Sequence, residues 1–530
     1  MNKYKFGDIM PIRAFTLIPL FLLSFNSWSY TKGKTYKITI LHTNDHHGRF
    51  WHNQDGEYGM AARATLIKEL REEIKKEGGY SLLLSAGDIN TGVPHSDLQY
   101  AEPDFKGMSL LGYDAMAVGN HEFDNPLDKL FQQQRWSNFP FLSANIYYKD
   151  SDKRVFDSHH TWTFDDLKIT VFGLTTEDTP LKTNAVNTAS LKFTPSVEEA
   201  KKIVPKLRKE TDLLIALTHT GHYVDAQHGA NAPGDVTLAR QVSGIDLIVG
   251  GHTQKPLFKP DIQNDTIIVQ AYEWGKYVGR VDLEFLNGKI SLKSYELIPV
   301  NLKSSARKIP EDRRIKAFLQ TFQDRGNSLI QEMNKGLNQD SANLGNAEVE
   351  FIGRREVVRY QETNLGNLVA TAFKSELGAD IGVMNAGGMR DTLSPGKIKF
   401  ETILTILPFK GQIVLSKLSG AKLKEYLEHA IFNLLPGSGS FPHISGVTAQ
   451  ADLETKTLKN IKINGKELDL DKTYSMALPE FIAKGGDKYI AVEYEYKDAL
   501  DAIVLKNFLA KRNGLKSKDF APNHYIKNRP

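Results

Sequence analysis

The chain has 530 residues, 41% of them apolar and 25% charged, with a formal net charge of +4 and no cysteine. That length exceeds one typical domain and predicts at least two. The weak charge argues against nucleic-acid and membrane-surface binding, and the lack of cysteine excludes disulfides and thiol chemistry.

Lys3, Lys5 and Arg13 precede an apolar stretch, Ala14 to Phe25, followed by Asn26-Ser27-Trp28-Ser29. A basic start, a short apolar run and small residues at Ser27 and Ser29 read as a secretory signal over residues 1–29. The bland alternative is an uncleaved anchor, but the run is short for a membrane span. No cysteine follows it, which excludes a lipoprotein anchor. Removing Met1 to Ser29 takes away three basic residues and one acidic residue, so +4 becomes about +2. No stable membrane association is expected after cleavage, and the exported chain is expected to be a periplasmic monomer.

From Tyr36 to about Asn301, strand-like runs alternate with helical stretches, which predicts α/β layers. Ala61 to Lys76 reads as an amphipathic helix ended near Gly78-Gly79. Val197 to Lys209 reads as another, which Pro205 should kink or interrupt. Glu311 to Asn338 lacks a strand signal and predicts a long polar helix joining two bodies. The remainder has its own strands (Ile381 to Met384, Ile413 to Leu415) and helices (Leu365 to Leu377, Ala421 to Leu434), enough for an independent core.

Five apolar runs each end in residues that bind divalent metals. Ile38 to Leu41 leads to Asp45-His46-His47, and Leu82 to Leu84 leads to Gly87-Asp88. Ala115 to Val118 leads to Gly119-Asn120-His121-Glu122. Leu213 to Leu217 leads to His219, and Leu247 to Val249 leads to Gly250-Gly251-His252-Thr253-Gln254. Five buried strands would deliver these residues to one edge of a sheet, where open α/β sheets build their sites. The mixture of carboxylate, imidazole and amide suits a two-metal hydrolytic centre.

Asp45 and His47, alternate residues of an extended segment, would face the same metal. Asp88 is placed to bridge two ions, and Asn120, His219, His252 and the Gln254 carbonyl complete the set. Any one histidine alone is better read as a hydrogen-bonded structural residue; the series is what carries the metal reading. The ligand types suit two divalent ions of zinc, manganese, cobalt or iron. If a helix begins at His121, then Asp124 shares its face and would favour its imidazolium form, able to stabilise phosphoryl charge or protonate a leaving oxygen. The alternative makes Asp124 a helix cap and His121 a ligand.

These residues are similar to the calcineurin-like metallophosphoesterase signature. The longer strings Leu41-His42-Thr43-Asn44-Asp45-His46-His47-Gly48, Gly87-Asp88-Ile89-Asn90-Thr91-Gly92, Gly119-Asn120-His121-Glu122-Phe123-Asp124-Asn125 and Ala271 to Arg280 resemble the bacterial periplasmic 5′-nucleotidase/UDP-sugar hydrolase family. His252-x-Gln254, where many two-metal phosphoesterases have His-x-His, fits that subgroup.

The resemblance implies an α/β protein. A four-layer αββα metallophosphoesterase domain (residues 30–322) would be joined by a linker helix (323–342) to a separate α/β C-terminal substrate-binding domain (343–530). It implies Asp45, His47, Asp88, Asn120, His219, His252 and Gln254 as ligands of two metals, with Asn120 also near the substrate, and His121 with Asp124 as the catalytic dyad. It places Arg355, Arg359 and Arg390 on the substrate phosphate, Phe409 and Phe481 on either face of the base, and Asp487 on the ribose hydroxyls. Guanidinium forks suit phosphate and parallel aromatic faces grip any base. Read alone, the arginines would be surface charges and the phenylalanines core residues.

Two departures stand out. Lys410-Gly411 replaces a base-contacting Asn found in relatives, and the connection from His252 to Ile267 is short. The implied activity is hydrolysis of nucleoside 5′-monophosphates, di- and triphosphates and UDP-sugars by in-line attack of metal-activated water, with the C-terminal domain rotating about the linker. Nucleotides and nucleotide-sugars are the expected partners. A 2′,3′-cyclic-nucleotide phosphodiesterase with 3′-nucleotidase activity is the nearest rival.

Overall fold

The computed structural model describes residues 30–335 and 344–527, apart from Ala230, Leu435, Asn513, Ser517 and residues 523–525. The expected signal segment and the 336–342 end of the expected linker lie outside the described residues.

The N-terminal domain is built on two six-stranded sheets. In the first, Thr35–Thr43 pairs in parallel with Tyr80–Ser85, which pairs in parallel with Ala115–Ala117. Its other flank is antiparallel to Tyr277–Leu286. In the second sheet, Leu167–Thr175, Leu213–His219 and Leu247–Val249 run parallel to one another. Strand alternation explains the layering. Ile38, Ile40, Leu82 and Leu84 pack against Ile169, Val171, Ile215 and Leu217 between the sheets. The intervening Leu41 and Leu83 face outward onto helix Met60–Lys76, which buries Leu66, Ile67, Leu70 and Ile74 at helical spacing. On the far side, Leu214 and Ala216 face Val197, Ala200 and Val204 of helix Ser196–Leu207. The result is four layers, helix–sheet–sheet–helix, as expected.

Pro205 lies inside that last helix rather than ending it, and the helix runs on to Leu207. Val204 and Leu207 are both buried there, and their packing outweighs the single hydrogen bond that proline removes so near the helix end.

The C-terminal domain carries a five-stranded mixed sheet in the order Pro442–Ser445, Ile381–Asn385, Thr473–Pro479, Gln412–Ser419, Glu495–Leu500. Helix Asn364–Glu376 covers one face, within one core, and helix Gly420–Phe432 covers the other, within a second. Helix Arg313–Lys335 connects the domains. Leu319 and Phe322 belong to the N-terminal core, whereas Ile330 and Met333 pack on the C-terminal one.

Candidate metal centre and substrate cleft

The expected single sheet edge is in fact two: Thr35–Thr43, Tyr80–Ser85 and Ala115–Ala117 end side by side in the first sheet, and Leu213–His219 and Leu247–Val249 in the second, which packs against it. Asp45, His47, Asp88, Asn120, His219, His252 and Gln254 follow or close those strands, and all are buried or nearly so. His219 Nε2 lies 2.9 Å from Asp88 Oδ2, and His47 Nε2 lies 3.9 Å from both Asp45 Oδ1 and Asp88 Oδ2. His252 Nδ1 is 2.8 Å from Asn120 Oδ1, and Gln254 Nε2 is 2.6 Å from His47 Nε2. Candidate ligand atoms of His47, Asp88 and His121 gather within 4.8 Å, as do those of Asp88, His219 and His252. Asp88 is common to both groups.

Alternation along an extended segment is not what turns Asp45 and His47 inward. Both have left-handed backbones, with φ of 51° and 52°, and so have Asp88, His252 and Gln254 at 56°, 74° and 53°. A short left-handed step reverses side-chain direction within a residue or two. Asp and His tolerate that region better than most residues. Tightly folded loops hold these steps. At Gly119 any Cβ would lie 2.2 Å from Asp88 Oδ1, so only glycine lets the two loops approach this closely.

The donor set fits divalent cations. Asp45 Oδ1 is buried without a hydrogen-bond partner among the described residues. His219 Nδ1 faces the Ala86 carbonyl at 2.6 Å, and His47 Nδ1 faces those of Asn90 and Thr91 at 3.1 and 2.9 Å. Each ring therefore donates from Nδ1 and turns its Nε2 toward the cluster, the orientation metal-binding histidines need. Burial pushes the Asp45 carboxyl up to about 6, with Asp88 adding to the effect and His219 opposing it. Cations at this point would relieve that cost.

His121 opens a single helical turn, His121–Phe123, and its Nδ1 meets Asp124 Oδ2 at 2.7 Å. Burial works against its charge, but the Asp124 and Asp88 carboxylates outweigh burial and raise its pKa.

A cleft of about 710 Å³ opens over this cluster and continues into the C-terminal domain. Asp88, Asn120, His121, Asp124, His252 and Gln254 line it from below; Arg355, Arg359, Arg390, Phe409, Phe481 and Asp487 line it from the other domain. Asp45, His47 and His219 lie buried beneath the cleft wall. Arg355 Nη1 donates to Gln254 Oε1 at 2.7 Å, and Arg390 approaches His121 Nε2 and His47 Nε2, each at 3.4 Å. Burial and mutual repulsion lower the pKa of Arg390 to about 10 and that of Arg359 well below its ordinary value. Crowded, buried guanidiniums of this kind are relieved by an anion. Phe409 stacks on His121 with centroids 5.8 Å apart, and Asp487 accepts from Asn385 Nδ2 at 2.9 Å.

Glu122, a buried residue of the quoted strings, drew no role from the sequence. The Glu122 carboxylate accepts from the backbone N–H of Asp88 at 3.0 Å, Ile89 at 2.7 Å and Gly119 at 2.7 Å. It thereby ties the Asp88 loop to the Asn120 loop. Its partners are main-chain groups, which leave no trace in a sequence. Asn44 does similar work, donating to Asp45 Oδ2 at 2.7 Å and accepting from Ala271 N at 2.7 Å.

Comparison with known proteins agrees with this layout. The calcineurin-like phosphoesterase family matches residues 38–256, and the 5′-nucleotidase C-terminal domain matches residues 343–494. A 5′-nucleotidase of Vibrio cholerae is 46% identical over 92% of this chain and 93% of its own. The chain belongs to the 5′-nucleotidase family. Protein UshA of Escherichia coli, another relative, is 42% identical over 96% of this chain and 97% of its own. Among solved structures, a 5′-nucleotidase precursor from Thermus thermophilus superposes with a TM-score of 0.77 at 25% identity, covering 93% of this chain and all of that one. As a metallophosphoesterase family, it implies divalent metals, and the buried Asp/His cluster could hold them. Among the described residues, no helix is long and apolar enough to cross a membrane.

Proposed function

We propose that this family member is an exported two-metal phosphohydrolase that removes the 5′-phosphate of nucleotides and cleaves UDP-sugars and other nucleoside di- and triphosphates. The observation that carries the reading is the meeting of two unlike groups of residues. Arg355 and Arg390 of one domain come within 2.7 and 3.4 Å of Gln254, His121 and His47 of the other. Phosphate-binding forks thus stand over a cation-binding cluster.

In this reading Asp45, His47, Asp88, Asn120, His219, His252 and Gln254 would hold two divalent ions. Those ions, when bound, supply an acidified water and neutralise phosphate oxygens. Arg355, Arg359 and Arg390 fix the phosphoryl oxygens and orient the phosphorus for in-line attack. His121 keeps one proton on Nδ1 against Asp124 and presents Nε2–H to a phosphoryl or leaving oxygen. Phe409 and Phe481 hold the base and Asp487 the ribose hydroxyls. Residues 1–29 direct export to the periplasm, where the enzyme acts as a monomer.

The test is product formation from AMP, 3′-AMP, 2′,3′-cyclic AMP and UDP-glucose, after EDTA and then after restored manganese, cobalt or zinc. Metal-dependent phosphate release from AMP and UMP or uridine from UDP-glucose is the expected result. Turnover confined to 3′ and cyclic substrates would keep the metal cluster and overturn the substrate. No turnover with any metal would overturn the whole reading.

A further inference from the structure

We infer that His46 is a positioning residue: clasped by Arg63 and Asp104, it holds the left-handed steps that turn Asp45 and His47 toward one ion. The inference rests on the two-metal reading above. His46 lies between those two residues in the loop that follows strand Thr35–Thr43. Both neighbours have left-handed backbones, a conformation that crowds Cβ and persists only where the surroundings impose it. On one side the main chain supplies the hold. Asp45 N donates to the Gly87 carbonyl at 2.9 Å, His47 N to that of Asp88 at 3.1 Å and Gly48 N to that of Ile89 at 2.8 Å. The second hold is the His46 side chain.

Helix Met60–Lys76 brings Arg63 Nη2 to 3.3 Å from His46 Nδ1, and helix Glu102–Leu111 brings Asp104 Oδ1 to 2.9 Å from His46 Nε2. A guanidinium only donates, so Nδ1 accepts and the ring proton sits on Nε2, facing the carboxylate. This tautomer is the opposite of that in His47 and His219, whose Nδ1 atoms face main-chain carbonyls. Both nitrogens of His46 are thereby occupied, and neither is left for a cation. Asp104 is held in turn, because Ser96 Oγ donates to its Oδ2 at 2.5 Å. His46, Arg63, Asp104 and Ser96 are each no more than 2% exposed, so water cannot replace these contacts. Arg63 is seated tightly as well: a Cβ on Gly275 would collide with its Nη1. Beside Gly275, Trp274 N donates to the Asp45 carbonyl at 2.7 Å. The guanidinium thus lies against a second segment that grips the same loop.

The experiment titrates manganese by calorimetry into metal-stripped wild type, Asp104→Leu, Asp104→Asn and Arg63→Met, with thermal melting as the control for folding. The wild type is expected to take two ions. Asp104→Leu removes the oxygen that faces Nε2. Its affinity for one ion should fall about 10- to 100-fold, the usual effect of losing a group behind a metal ligand, while the other ion binds as in the wild type. Asp104→Asn keeps an acceptor at that position and should restore both affinities. Arg63→Met removes the contact at the other ring nitrogen; it should reproduce the one-ion loss, and it stands in if Asp104→Leu does not fold. Two wild-type affinities in Asp104→Leu or Arg63→Met would overturn the inference, and so would a loss that persists in Asp104→Asn. Equal weakening of both ions would also overturn it, since a general loosening of the core predicts that result. A wild type that takes up fewer than two ions would overturn the two-metal reading, and the inference with it.

Discussion

At the scale of single residues, the geometry around Glu122 shows how much of the candidate metal centre lies behind the residues that would hold the ions. One carboxylate gathers N–H groups from the two loops that carry Asp88 and Asn120. Charge-assisted bonds of this type are roughly twice as strong as neutral ones. Glu122→Gln keeps the shape but turns an amide N–H toward donors. We expect metal affinity and turnover to fall together by about 10- to 100-fold, the usual effect of disturbing the groups behind metal ligands. Titrating metal back into the stripped variant checks this; wild-type affinity would show that the loops hold their shape without the carboxylate. Asp124→Asn is expected to act differently. It removes the charge that favours the His121 imidazolium, so kcat should drop about 100-fold with little change in KM for AMP. A loss confined to KM would mean that Asp124 only shapes the cleft.

At the scale of elements, the connecting helix Arg313–Lys335 is a docked component of both bodies. His95 Nε2 meets Asn327 Oδ1 at 2.8 Å, and Gln99 Nε2 donates to the Phe322 carbonyl at 2.9 Å. Between these contacts a Cβ on Gly326 would lie 2.8 to 3.1 Å from His95 atoms, two of them Cα and Cβ. Replacing a helical glycine by alanine ordinarily stabilises a helix by about 1 kcal/mol. Here the crowding should reverse the sign, and overpacking of this kind costs about 1–3 kcal/mol. Gly326→Ala should therefore lower the melting temperature, and a rise would show that the helix is loosely seated. The sequence predicted this helix from its composition and missing strand signal. It could not predict the seat, which depends on where His95 comes to lie, 231 residues before Gly326 in numbering order.

At the scale of the whole molecule, the cleft is assembled from two domains, and its chemistry depends on their meeting. One consequence is a carboxyl buried beside the cleft. Asp501 lines the cleft, and burial, opposed by the backbone N–H groups of Ala502 and Gly411, pushes its carboxyl up to about 7. Its unfolded value is about 3.9. The folded chain thus binds the proton more tightly than the unfolded one. This contribution to stability is full below about pH 4 and is lost as the pH rises through about 7. Asp501→Asn never ionises, so its melting temperature should gain on the wild type between about pH 5 and about pH 8.5. An unchanged difference across that range would mean that Asp501 ionises freely in the fold.

The sequence by itself determined the α/β layering and the strand ends, while the four-layer order came only with the family resemblance. Apolar runs of the right length, each closed by Asp, Asn or His, are local patterns that burial alone interprets. It also carried the family, because the strings around Asp45, Asp88 and Asn120 are contiguous. Tertiary structure decided how those residues converge. Asp45 and His47 turn inward through left-handed steps, not strand alternation, and no local pattern announces a left-handed step at a non-glycine residue. Tertiary structure also decided that Arg355 and Arg390 stand over His47, His121 and Gln254. Contacts between residues 101 to 343 positions apart are made by packing, after the chain has folded back on itself. The Glu122 carboxylate among main-chain donors and the Asn44 side chain between Asp45 and Ala271 belong to the same class. Their meaning lies in what surrounds them, and only the folded chain supplies surroundings.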